Sequence, residues 1–319
     1  MIVLANDGLS KAGEQLLTEA GIEIIEAKVS QEHLINFINE NKVDVLLVRS
    51  ATKVRTDLID SCPGLKIIGR GGIGMDNIDV EYAIEKGIYV INTPKSSSRS
   101  VAEMVFAHFF SLARFLHESN RLMPLEGETH FKALKKSFSS AVELEGKTLG
   151  VIGFGGIGQE VVKIGISLGM QVKVLTRKPK TEKITFDFFD GQQLHFDISS
   201  ETNMDEFLSN VDFLTVNTPK TNGYLLDTPQ FEKMKDGVFI VNTARGGVIN
   251  EVTLLDAIEN GKVAGAALDV FENEPSPELA LLMNPNLSLS PHLGGNTQDA
   301  QIKIGKELAQ QIIEIKKKL

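Results

Sequence analysis

Residues 148–169 read TLGVIGFGGIGQEVVKIGISLG. An uncharged apolar run breaks at Gly153 into four glycines within six residues, Gly153, Gly155, Gly156 and Gly158, and apolar residues then return at helical spacing. This is G-x-G-x-x-G placed between a strand and a helix, the context that separates the dinucleotide fingerprint from a chance cluster of glycines. Each position has a physical demand: a tight turn at Gly153, close approach of a pyrophosphate at Gly155, and close packing of helix on strand at Gly158. The phosphates then meet unpaired N–H groups at the N-terminus of the helix.

Working outward, further β-rich runs follow in MQVKVLTR, VDFLTVNTP, GVFIVNTARGG, KVAGAALDVF and LSLSPHLGG, separated by helical segments. Together with the fingerprint strand they describe a doubly wound parallel sheet. TEKITFDFFDGQQLHFDISS is less regular and reads as a hairpin or an edge insertion. Upstream, VDVLLVRS, LKIIGRGGIG and IYVINTP are continuous apolar runs of the kind found in buried parallel strands. The helical NIDVEYAIEKG among them closes on Gly87 as a C-cap. SRSVAEMVFAHFFSLARFLHESN is expected to form one long buried helix, and RLMPLEGETHFKALKKSFSSAV a protruding loop. The last helical stretch, TQDAQIKIGKELAQQIIEIKKK, is expected to return to the first series. The expected organisation is two α/β domains, each a Rossmann-like or flavodoxin-like doubly wound parallel sheet. A discontinuous substrate domain covers 1–96 and 294–319, and a dinucleotide-binding domain covers 97–293.

The chain has 319 residues, enough for two domains of roughly 100 to 200 residues each. A net charge of −9, without a basic cluster beyond Lys316–Lys318, argues against a nucleic-acid partner. No stretch approaches the roughly 20 apolar residues of a membrane span, and the first residues lack the pattern of a secretion signal. The lone Cys62 suits a reducing compartment, so a cytoplasmic location is expected. Neither the histidines nor Cys62 suggest a metal site by their spacing. His108 and His117, nine residues apart on an apolar stretch, read as packing or surface groups.

At the end of the second fingerprint strand an acidic residue is expected to hold the ribose 2′-hydroxyl. Thr176 stands there instead, followed by Arg177, Lys178 and Lys180. A 2′-phosphate would be tolerated, which points to NADP; alternatively Arg177 stacks on adenine while NAD binds. Three later strand ends carry Arg245, Glu274 and His292. An arginine fork can hold a substrate carboxylate and polarise the adjacent carbonyl. A histidine can exchange the proton that accompanies hydride transfer, with a carboxylate fixing its tautomer. Each has a plain structural alternative when taken singly, but the three in this order after a fingerprint point to catalysis.

VLLVRSATKV, GRGGIGMDNID, RSVAE, GKTLGVIGFGGIG, NTPKT, NTARGGVIN, AALDVFENEP and SPHLGGNT together resemble the D-isomer-specific 2-hydroxyacid dehydrogenases over nearly the whole chain. The resemblance implies a two-domain NAD- or NADP-dependent oxidoreductase with its active site in the cleft between the domains and Arg245, Glu274 and His292 as its catalytic residues. It implies cofactor contacts at Gly156, Ile157, Thr218, Pro219, Thr243 and Ala244, with Asp269 near the nicotinamide amide and Gly294 and Gly295 beside the ring. It also implies a homodimer formed through the dinucleotide-binding domain. Within the family, RSATKV, GRGGIGMDNID and SRSVAE most resemble the 3-phosphoglycerate dehydrogenases. That resemblance implies a small anionic 2-hydroxy or 2-keto acid held by amides of Gly72, Ile73 and Gly74, with Arg49, Ser50 and Arg99 toward its phosphate; Arg99 reads equally well as a structural ion-pair partner. Ser97 replaces a frequent Asn of that branch. Feedback through a carboxy-terminal regulatory domain is not expected. The alternatives are an NADPH-dependent hydroxypyruvate or glyoxylate reductase and, from another class, a dinucleotide-sensing corepressor-like binding protein.

Overall fold

The computed structural model describes Met1–Leu319 and divides into two compact units, Met1–Ser98 with Gly295–Leu319, and Arg99–Gly294. The first unit runs β1 (Ile2–Ala5), α1 (Lys11–Glu19), β2 (Glu23–Ile25), α2 (Leu34–Glu40), β3 (Val45–Val48), α3 (Thr56–Ser61), β4 (Ile67–Arg70), α4 (Val80–Glu85) and β5 (Tyr89–Asn92). Its five parallel strands lie in the order β2-β1-β3-β4-β5. Successive residues point to opposite faces, and here both faces are apolar. Leu4, Leu46 and Ile68 pack with Leu34, Ile38, Leu58 and Ala83 of α2, α3 and α4. Val3, Val45 and Ile67 pack with Leu17 of α1 and with Ile304, Leu308 and Ile312.

Those last three residues belong to the closing helix of the chain (Gln298–Lys316), which Thr297 caps through the Ala300 N–H at 3.2 Å. This helix meets α1 at a pair of glycines: a Cβ on Gly13 would stand 2.6 Å from the backbone oxygen of Gly305. The final helix thus packs within the first unit, and its close crossing of α1 depends on two absent side chains.

The second unit begins on α5 (Ser98–Ala113) and continues through α6 (Leu116–Ser137), β6 (Thr148–Ile152), α7 (Gly156–Ser167), β7 (Gln171–Leu175), β8 (Thr181–Asp187), β9 (Gln193–Ser199), α8 (Met204–Leu208), β10 (Phe213–Val216), α9 (Thr228–Lys233), β11 (Val238–Asn242), α10 (Glu251–Glu259), β12 (Val263–Leu268), α11 (Leu279–Leu282) and β13 (Leu287–Leu289). The closing helix is α12. Six parallel strands take the order β13-β12-β11-β10-β6-β7. Leu149, Val151, Phe213 and Val241 pack on α5 and α7, while Ile152, Leu214, Ile240 and Leu268 pack on the helices of the other face.

β8 and β9 form an antiparallel hairpin, as expected for that irregular segment. Beyond it the chain touches the edge of the sheet once, where Glu201 exchanges backbone hydrogen bonds with Val174 and Thr176.

Two expectations about the linking segment are corrected. The long helix is broken: Phe115 adopts φ 52, a left-handed conformation that ends α5 and starts α6. The segment read as a protruding loop is helical as α6, despite Pro124 and Gly127. Leu, Met, Glu, Lys and Ala outweigh these breakers in helix propensity, and the irregularity is confined to non-helical backbone at His130. Only Leu134 of α6 is buried, so the polar character that suggested a loop belongs to a solvated helix.

Candidate active site

The chain leaves β6 for β7 in one direction and β10 in the other, which makes the β6/β10 boundary a topological switch point where a crevice opens at the carboxyl ends of the strands. The glycine turn sits there. Gly153 has φ 98, and a Cβ on it would lie 2.5 Å from the Asn217 carbonyl oxygen. A Cβ on Gly158 would lie 2.1 Å from the oxygen of Gly153. A Cβ on Gly155 would meet nothing within 4 Å, so the backbone presents an open face at the N-terminus of α7. Gly155 and Gly156 are exposed and Ile157 is half-buried.

Across the switch point, both side-chain amide atoms of Asn217 and the hydroxyls of Thr218 and Thr243 are buried without a protein partner. Buried polar atoms demand hydrogen bonds, so this edge is built for a polar ligand. A glycine turn open to a phosphate, a helix N-terminus and unpaired side chains at adjacent strand ends fit a dinucleotide. Pro219 is exposed beside Thr218, and Ala244 is buried next to Thr243. Asn217 opens the NTPKT stretch, yet no local pattern assigned it a role.

At the end of β7, Thr176 turns its hydroxyl onto the Lys178 carbonyl at 2.7 Å. Arg177 and Lys178 are exposed, and Lys180 donates to the Phe154 carbonyl within the glycine turn at 2.9 Å. Lys180 also pairs with Glu182 at 2.8 Å, so the exposed cations of the rim are Arg177 and Lys178, and no carboxylate stands at position 176.

The three candidate catalytic residues follow β11, β12 and β13, which are adjacent in the sheet. His292 Nδ1 is 2.9 Å from Glu274 Oε2, and the other oxygen of Glu274 accepts from the Phe271 N–H at 3.0 Å. The imidazole thus has one nitrogen held by a carboxylate that is itself held by backbone, and the other nitrogen is left for chemistry. The side chains are 49% and 37% exposed. Arg245 follows β11 in a turn tied by Asn242, which accepts from the Ala244 N–H and donates to the Arg245 carbonyl, both at 3.0 Å. The turn also requires Gly246, since a Cβ there would lie 1.8 Å from the Phe271 oxygen, on the loop leading to Glu274. Asn242 and Gly246 were not singled out from sequence. Their signal was only a polar residue and a small one beside the candidate arginine.

Asp269, 1% exposed, accepts from the N–H groups of Leu293 at 2.7 Å and Gly294 at 2.8 Å. Its carbonyl accepts from the His292 N–H at 2.9 Å. His292 adopts φ 55, a left-handed conformation that for a non-glycine residue costs on the order of 1–2 kcal/mol. The grip of Asp269 on both sides holds this geometry. Gly294 is thus part of the loop around the histidine, while Gly295 falls in the first unit.

Of the expected substrate contacts in the first unit, Arg49 and Ser50 follow β3 at the unit's own switch point, between β1 and β3, and Gly72, Ile73 and Gly74 follow the next strand, β4. Asp7 accepts from the Arg49 N–H at 2.6 Å and from Thr52, and Asn77 ties the Arg49 and Thr52 carbonyls to Arg70. Arg49 is half-buried, Ser50 is exposed, and a hollow of about 390 Å³ opens beside them. The Gly72 N–H, expected to face the substrate together with those of Ile73 and Gly74, donates to the Arg70 carbonyl at 3.0 Å. Arg99, in the second unit, pairs with Glu103 at 2.7 Å and Glu160 at 3.5 Å, the structural alternative of its two readings. Burial pushes the Cys62 thiol up to about 11, which keeps it protonated and unreactive.

Residues 106–294, more than half of the chain, match the model of the D-isomer specific 2-hydroxyacid dehydrogenase, NAD binding domain. The chain is 40% identical to the hydroxypyruvate reductase of Thermotoga maritima, over 98% of this chain and 97% of that protein. It is 38% identical to the D-3-phosphoglycerate dehydrogenase of Bacillus subtilis, over 99% of this chain but 57% of that protein. Among solved structures, the glyoxylate reductase from Paecilomyes thermophila superposes with a TM-score of 0.80 at 27% identity, covering 98% of this chain and 95% of that one.

Proposed function

The chain belongs to the D-isomer specific 2-hydroxyacid dehydrogenase family, and on that premise we propose that it interconverts 3-phosphoglycerate and 3-phosphohydroxypyruvate with His292, Glu274 and Arg245 as its catalytic residues. The observation that carries this reading of the residues is the His292–Glu274 hydrogen bond of 2.9 Å, with Arg245 on a neighbouring strand end.

When bound, a nicotinamide dinucleotide accepts or supplies the hydride at C4 of its ring. His292 Nε2 takes the hydroxyl proton as the acid is oxidised and returns it to the carbonyl oxygen in reduction. Glu274 accepts from Nδ1–H, which fixes the tautomer and stabilises the imidazolium that forms. Arg245 holds the substrate carboxylate and polarises the neighbouring carbonyl. Thr218 and Thr243 offer hydroxyls to the dinucleotide, and the amides of Gly155, Gly156 and Ile157 offer donors to its pyrophosphate.

The half-buried Arg49 and exposed Ser50 support the phosphorylated substrate. A second reading, reduction of hydroxypyruvate or glyoxylate with NADPH, is favoured by the cationic rim of Arg177 and Lys178 beside Thr176. Assay of nicotinamide absorbance with phosphohydroxypyruvate, hydroxypyruvate and glyoxylate, each with NADH and with NADPH, separates the two. Preference for the phosphorylated keto acid supports the first reading and a place in serine synthesis. Turnover of only the unphosphorylated acids refutes it in favour of the second. We further propose a homodimer through the second unit, supported by Phe110, Leu116, Leu125 and Phe131 exposed on α5 and α6. A cytoplasmic location is proposed from the single, buried cysteine. No helix is long and apolar enough to cross a membrane.

A further inference from the structure

His108 was read from sequence as a packing group, and it is only 5% exposed on α5. Yet both of its ring nitrogens are hydrogen-bonded across 180 residues of chain, Nδ1 to Ser288 Oγ at 3.0 Å and Nε2 to Ser290 Oγ at 2.9 Å. Ser290 donates its hydroxyl to Asp269 Oδ1 at 2.6 Å, and Asp269 grips the backbone of residues 292–294. We propose that His108, acting through Ser290 and Asp269, is a positioning residue that holds His292 in its catalytic orientation. The inference rests on the reading of His292 as the acid–base group.

The direction of each bond follows from the donors available. Ser290 has one hydroxyl proton, and it faces Asp269. Its oxygen is therefore an acceptor toward His108, which places the ring hydrogen on Nε2. Burial drives His108 toward its neutral form, so it carries that single N–H, and Nδ1 lies 3.0 Å from the Ser288 hydroxyl, which is shared with Ser111 Oγ at 3.3 Å. Without the His108 donor the Ser290 hydroxyl is free to rotate away from Asp269. The carboxylate, 1% exposed, then loses one of the three donors that satisfy it. Asp269 is the anchor of a histidine held at φ 55, so a loosened anchor releases backbone strain by moving the imidazole. Displacement of an acid–base group by a fraction of an ångström lowers turnover without weakening a cofactor held by the glycine turn.

Four proteins test the chain of contacts: His108→Leu, which fills the volume without a hydrogen bond, His108→Gln, which keeps a donor near Nε2, Ser290→Ala, and the double variant His108→Leu with Ser290→Ala. With the keto acid that wild type turns over, His108→Leu should lower kcat about tenfold while KM and the cofactor Kd stay within about twofold. His108→Gln should restore most of the loss. The double variant should be no slower than Ser290→Ala alone, because the two residues act in series. A kcat of His108→Leu within about twofold of wild type, or losses that multiply in the double variant, would overturn the proposal. Should His108→Leu fail to fold, Ser290→Ala and His108→Gln decide: near-wild-type turnover in Ser290→Ala overturns it, and a loss in Ser290→Ala with activity kept in His108→Gln supports it. Absence of turnover by wild type with every 2-keto acid overturns the functional reading itself, an outcome distinct from an active wild type with indifferent His108 variants.

Discussion

Glu274→Gln isolates the role of the carboxylate, because the side chain makes two hydrogen bonds of different kinds. Its Oε1 accepts from the Phe271 N–H at 3.0 Å, and its Oε2 pairs with His292 Nδ1 at 2.9 Å. A glutamine has one oxygen for these two places. Turning its NH2 toward Phe271 would set two donors face to face and strand a backbone N–H, at about 1–3 kcal/mol. The oxygen therefore stays with Phe271 and the NH2 donates to Nδ1. This drives the imidazole to the tautomer with hydrogen on Nε2. In oxidation the histidine then has no lone pair facing the substrate hydroxyl, and a general-base contribution of about 100-fold or more is lost. In reduction the acid must be the imidazolium, whose Nδ1–H would now face the glutamine NH2 without a charged acceptor, so proton delivery is impaired as well. Such bonds contribute about 1.5–3 kcal/mol, and exposures of 49% and 37% place this one at the lower end, about tenfold in rate. The assay is steady-state kcat/KM in both directions, with cofactor affinity measured by fluorescence. The expected pattern is a fall of kcat/KM in both directions by the same factor, between about tenfold and about 100-fold, because the variant cannot change the equilibrium constant, with the cofactor Kd unchanged. Equal activity to wild type in both directions, or a parallel loss of cofactor affinity, would refute the reasoning.

Gly158→Ala would bring a methyl to 2.1 Å from the Gly153 oxygen, so α7 must withdraw from β6; a stability loss of about 1–3 kcal/mol and cofactor binding weakened at least about tenfold are expected from melting and fluorescence titration. Gly13→Ala meets the Gly305 backbone at 2.6 Å and should lower the melting temperature while leaving cofactor affinity, a property of the other unit, unchanged. His108 supplies a pH dependence. Burial lowers its pKa below 6.5, with His117 adding to this and Asp269 opposing it. The folded state then binds fewer protons than the unfolded chain, so this contribution is present above pH 6.5 and is lost as pH falls below it. Denaturant midpoints of wild type should therefore fall more steeply than those of His108→Gln on acidification, and parallel curves would contradict the assignment. Thr176→Asp should shift the ratio of kcat/KM values toward NADH over NADPH, since a carboxylate there repels a 2′-phosphate and accepts from a ribose hydroxyl; an unmoved ratio would show that this strand end does not select the cofactor.

Much of the molecule was legible because its signals are local. Continuous apolar runs, such as VLLV at 45–48, require a strand buried on both faces, and the GFGGIG turn at 153–158 requires a close backbone approach, whatever the rest of the chain does. Arg245, Glu274 and His292 could be placed beyond strand ends for the same reason, since each lies a few residues past an apolar run. The linker at 114–137 was misread because polarity alone does not distinguish a solvated helix from a loop, and the break at Phe115 is a single left-handed residue with no glycine to announce it.

The sequence by itself determined the two α/β series, the glycine turn that follows β6 and the identity of the three candidate groups, all of which depend on residues near one another in the chain. Only the tertiary structure decided that Glu274 reaches His292, that Asp269 holds the histidine's backbone, and that His108 bonds Ser288 and Ser290. Those contacts arise from the order of strands in the sheet and the packing of α5 against it. They are set by which buried faces find one another, and no local pattern of residues encodes that choice.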